Sequence, residues 1–149
     1  MRYSNIMRPD RERRLLQCAV ALACLVPLTA GASGVWQGPA MVKGVSAAAP
    51  ADLESHFRYL SGLLLGMGLC FGASIPTIER RSELFAVLSA VIVVGGVARL
   101  AAMLAGILPS TPHVLALGME LLVVPLLLIW QRRIARRFQP GKFTAPRRW

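Results

Sequence analysis

Residues 84–108 read LFAVLSAVIVVGGVARLAAMLAGIL, and the reading of this stretch decides the fold. Its twenty-five residues carry a single charge, that of Arg99. As an α-helix it would be about 37 Å long at 1.5 Å per residue, more than the roughly 30 Å hydrocarbon core of a bilayer. A chain of 149 residues has no soluble core large enough to cover such a helix on all sides. The stretch therefore reads as a transmembrane helix.

Working outward, the charged turn Glu79-Arg80-Arg81-Ser82-Glu83 precedes it, and before that an apolar run over 55–75 stops ahead of Pro76. On the other side Pro109-Ser110-Thr111-Pro112 makes a tight turn into a further apolar run at 112–131, and a first run occupies 15–35. The expected fold is all-α, a four-helix transmembrane bundle. A basic N-terminus (1–14) precedes the transmembrane domain (15–131), and a basic tail (132–149) follows it. Asp52, just after Pro50, reads as the cap of the second helix, and Ser110 or Thr111 as the cap of the fourth, with Pro112 in its first turn. Pro125 predicts a kink in that helix, Trp130 marks its interfacial end, and the tail from Gln131 reads as loosely ordered.

The net charge of +10 does not point to nucleic acid. Nucleic-acid binding needs basic residues spread over a folded face. Here 14 of the 17 lie in three short segments beside apolar runs: five in 1–14, two at 80–81 and seven in 132–148. Gathering those segments on one side leaves only Lys43 and the near-interfacial Arg58 on the other, so both termini are expected in the cytoplasm of a multi-pass protein of the cell inner (plasma) membrane. Arg132, Arg133, Arg136 and Arg137 are then placed to meet anionic lipid. The first run admits a second reading. A basic start, a short apolar stretch and Ala30-Gly31-Ala32 also describe a cleavable signal peptide, but the run is long enough to span, and a retained helix is preferred.

Arg99 and Glu120 are the residues that most invite a role. They lie symmetrically about the turn near 109–110, so both sit roughly 15 Å from it, at one depth. A charge at that depth normally faces protein and finds a partner, and an Arg–carboxylate pair can form two parallel hydrogen bonds. The pair reads as a structural clamp, with an ion or proton path as the functional alternative. Gly62, Gly66, Gly68 and Gly72 form two Gly-x-x-x-Gly pairs in the second helix, and Gly96 and Gly106 share a face of the third with Ser89 and Arg99, so these glycines are read as helix-packing positions. His56 and His113, each near a helix start, and Arg58 are weaker, interfacial candidates; two histidines alone make a poor metal or haem site. Cys18, Cys24 and Cys70 form no Cys-x-x-Cys pair and read as small apolar side chains. No catalytic motif is visible, and no cofactor or metal is expected.

His56-Phe57-Arg58-Tyr59-Leu60-Ser61-Gly62, the Glu79-Arg80 turn, Gly95-Gly96-Val97-Ala98-Arg99-Leu100, and Met119-Glu120-Leu121 with Pro125 occur in this order. As an ordered set they resemble a family of small bacterial membrane proteins known only as a domain of unknown function, over about residues 15–137. The resemblance implies a four-helix membrane bundle with a retained first helix and brings no assigned activity. Three functions stay open. The first is a non-enzymatic accessory or structural subunit with a membrane-protein partner, whereas a homo-oligomer of the chain alone would fit the second. The second is a small transporter or channel using Arg99 and Glu120. The third is a haem- or quinone-linked redox subunit using His56 and His113.

Overall fold

The computed structural model describes residues 9–42, 44–45 and 49–138. Lys43, the start of the basic N-terminus and the tail from 139 lie outside the described residues. Four helices make up the fold: α1 (Pro9–Gln37), α2 (Ala51–Ser74), α3 (Ser82–Leu104) and α4 (Thr111–Phe138). Each is long and apolar enough to cross a membrane, and the described residues contain no strand. Short 3-10 turns at Gly38–Met41 and Ile75–Thr77 follow α1 and α2. Large apolar side chains on the spans face outward, with Leu22 68%, Val94 69% and Ile129 64% exposed. In water so much exposed apolar surface would drive association, whereas in lipid it is the solvated state.

Two helices outrun their apolar segments. α1 starts at Pro9 rather than near 15, because Asp10 and Glu12 in its first turn complement the positive end of the helix dipole. α4 continues to Phe138, and its last turn carries Arg136 and Arg137, the favourable sign at a C-terminus. The segment from Gln131, expected to be loose, is therefore ordered helix as far as Phe138. α2 begins at Ala51 with Pro50 as its N-cap, so Asp52 lies inside the first turn and not at the cap position.

α3 stops at Leu104, short of the expected 108. Gly106 adopts φ +89°, and the N–H groups of Gly106 and Ile107 donate to the carbonyls of Met103 and Ala102 at 3.1 Å each. That is a glycine-terminated helix end. Gly106 thus ends α3 and packs against nothing within 4 Å, which corrects its expected packing role. In place of a simple kink at Pro125, α4 widens into a π-helical turn over Met119–Val123, where the Val124 N–H donates to the Met119 carbonyl. Proline lacks an N–H and its ring crowds the carbonyl four residues back, that of Leu121, and a wider turn just ahead relieves both.

The chain divides into two compact units, one of residues 18–75 and one joining the residues up to Gln17 with those from Pro76 onward. In the first, α1 and α2 meet through glycines of α1. A Cβ at Gly31 would lie 2.6 Å from the Leu65 backbone nitrogen, and one at Gly34 would strike the Ser61 hydroxyl. On α2, Gly68 lies against Leu28, while Gly66 has nothing within 4 Å and Gly62 only Val35 at 4.0 Å. Of the four α2 glycines, Gly68 alone has a neighbour closer than 4.0 Å, and the rest of the close approach falls to Gly31 and Gly34 of α1. In the second unit α3 and α4 form a hairpin whose buried side chains include Phe85, Leu88, Leu117 and Ile134.

Candidate functional site

Three polar clusters interrupt the apolar surfaces. The first lies within the α3–α4 hairpin. Arg99 Nε donates to Glu120 Oε2, and a terminal guanidinium nitrogen donates to Glu120 Oε1, both at 3.2 Å. This is the two-point geometry that guanidinium and carboxylate favour. The side chains are 34% and 20% exposed. Two features bring them together. Glu120 sits in the π turn, and Gly96, one turn before Arg99, offers it no side chain. A Cβ at Gly96 would fall 2.9 Å from the Glu120 Cβ and 2.8 Å from Leu121 Cδ2. Gly96 is thus the glycine of α3 that permits close approach.

The second cluster closes the far end of α1 in the other unit. α1 has no basic residue in its last turn, and Arg58 of α2 supplies one. Its guanidinium donates to the Val35 carbonyl and, at 3.0 Å, to the Trp36 carbonyl. The same group holds Glu54 at 2.6 Å and 2.7 Å. Gly38, at φ +61°, turns the chain out of α1, and a side chain there would strike the Glu54 carboxylate. Arg58, a weak candidate on sequence, is a helix-capping residue. His56 is exposed on α2. His113 is exposed at the start of α4, in the other unit, where its Nδ1 and the Ser110 hydroxyl are 3.0 Å apart. Ser110 occupies the N-cap position, but its hydroxyl is spent on that ring and not on the helix backbone. Among the described residues no group of three or more His, Cys, Asp or Glu side chains is placed to hold a metal ion.

The third cluster was not visible in the sequence. It is a collar where the first turns of α1, the 78–82 turn and the end of α4 meet. Fully buried Gln131 donates through Nε2 to the Ile78 carbonyl at 2.6 Å and to the Ser82 hydroxyl at 2.9 Å. Glu79, only 7% exposed, faces Arg13 at 3.6 Å. The Arg13 guanidinium also lies over the Phe138 ring, 5.7 Å from its centre, and Arg137 pairs with Glu12 at 2.6 Å. Sequence reasoning missed the collar because its members sit in charged segments that resemble solvated flanks. The available signal was helical spacing: Gln131, Ile134 and Ala135 share one face of α4 and are buried, while the arginines between and beyond them are exposed.

Residues 15–131 match the model of a family described as a domain of unknown function, DUF4345. No curated protein and no solved structure shows significant similarity to the chain.

Proposed function

The chain belongs to the DUF4345 family of unknown function, and we propose that it is a non-enzymatic accessory or structural subunit of a membrane assembly. It is a multi-pass integral membrane protein by its four apolar helices. The observation that carries the proposal is the two-point contact of Arg99 with Glu120 at 3.2 Å. Each charge neutralises the other, and the pair locks the depth of α3 against α4. A relay for ions or protons needs groups that exchange partners along a route. Arg58 and Glu54 are likewise engaged at a helix end. The charges of this protein hold helices, which is the work of a scaffold.

In this reading the collar faces the cytoplasm of the inner membrane. Arg80, Arg81, Arg132 and Arg133 are exposed there, and each gains about 1 kcal/mol beside anionic lipid. Purification of the tagged chain from native membranes tests the subunit role. A membrane protein recovered at fixed stoichiometry is the expected result, and a homo-oligomer of this chain alone overturns it.

A further inference from the structure

Three buried polar atoms among the described residues lack a hydrogen-bond partner, Arg13 Nε, Glu79 Oε2 and Gln131 Oε1, and all three belong to the collar. Buried polar groups are paired in the great majority of native structures, so three unpaired ones gathered in one cluster call for a physical reason. Their side chains are anchored through their other atoms: Gln131 by Ile78 and Ser82, and Glu79 and Arg13 by each other. What remains is one N–H donor and two oxygen acceptors, held in place. Their complement is an oxygen that accepts from a guanidinium, joined to hydroxyl groups that donate to a carboxylate and an amide oxygen.

The position of the collar narrows the ligand. It lies where α4 passes Trp130 and leaves its apolar span, so it sits at headgroup depth. Its exposed arginines, Arg80, Arg81, Arg132 and Arg133, outnumber the exposed acids Asp10 and Glu83, which favours an anion. An anion at that depth that carries hydroxyls is a phospholipid with a polyol headgroup. We propose that the collar binds the headgroup of an anionic polyol phospholipid. The phosphodiester takes the Arg13 guanidinium and neighbouring arginines, and two headgroup hydroxyls donate to Glu79 Oε2 and Gln131 Oε1. The Phe138 ring, packed on Arg13 in the last described turn of α4, gives way as the headgroup enters. The proposal rests on the reading that this end of the protein meets an anionic leaflet, and adds to it a specific site.

The test compares phosphatidylglycerol with phosphatidylmethanol, a phosphodiester of the same charge without headgroup hydroxyls. Binding of each to the intact chain in detergent is measured by native mass spectrometry. Phosphatidylglycerol is expected to bind about tenfold tighter, the worth of two hydrogen bonds to otherwise unpaired buried acceptors. Equal binding of the two overturns the site. If both still bind better than phosphatidylcholine, the anionic-leaflet reading survives that failure. In each of Glu79→Gln and Gln131→Met, which alters one of the two acceptors, the preference is expected to shrink to about threefold while phosphatidylmethanol still binds. A full preference in both variants overturns the assigned contacts. Displacement of phosphatidylglycerol by millimolar glycerol 3-phosphate overturns the lipid in favour of a soluble ligand.

Discussion

Arg99 and Glu120 were legible because a charge inside an apolar run is conspicuous and depth follows from counting residues to the turn. Glu79 and Arg13 were not, since a polar residue in a charged flank carries no mark of burial, and Gln131 carried only its helical spacing with Ile134 and Ala135. The hairpin contact has a consequence for single residues. Deleting one member of a buried ion pair costs roughly 3–5 kcal/mol in soluble proteins, and the partial exposure of this pair places the loss at or below the low end of that range. The two deletions are not equivalent. A carboxyl left alone can bind a proton and become neutral, whereas a guanidinium cannot shed one. Glu120→Gln should therefore lower the thermal midpoint in detergent more than Arg99→Gln. The exchange Arg99→Glu with Glu120→Arg should recover part of the loss. An exchange no better than the sum of the singles would show that the contact contributes nothing to stability.

Among the elements, the four spans were readable from length and apolarity, and their ends less so. The charged residues that extend α1 and α4 suit the helix dipole, but beside an apolar run they look like topology signals. Glycine misled in a different way. Gly-x-x-x-Gly spacing on α2 suggested its own close-packing face, yet contact depends on which glycine meets a neighbouring backbone, and that is a property of two helices together. The difference is measurable. Gly31→Ala puts a methyl against the backbone of Leu65, which cannot move aside as a side chain can. A loss of about 1–3 kcal/mol is expected, typical of overpacking. Gly66→Ala meets nothing within 4 Å and should be neutral or stabilising by up to about 1 kcal/mol, since alanine suits a helix better than glycine. Thermal unfolding of both variants in one detergent checks the contrast, and equal losses would contradict the α1–α2 contact.

For the whole molecule, charge placement predicts orientation independently of any contact. Reporters fused after Phe138 or inserted between Arg80 and Arg81 should report cytoplasm, and one inserted at 44–45 the opposite side. A far-side signal from the Phe138 fusion would reverse the assignment. The fold class was legible from the sequence because bilayer thickness imposes helix length. The collar was not, because it joins segments more than a hundred residues apart, and no local pattern announces that Glu12 and Arg137 lie 2.6 Å from each other. That closeness makes the order of the helices a matter of where the chain is cut. The beginning of α1 and the end of α4 are near enough to be spliced by a short linker, and the turn at Arg80 and Arg81 is exposed enough to be opened. Read as a closed loop, the same four helices can be written α3, α4, α1, α2, a circular permutant whose new ends open at the collar.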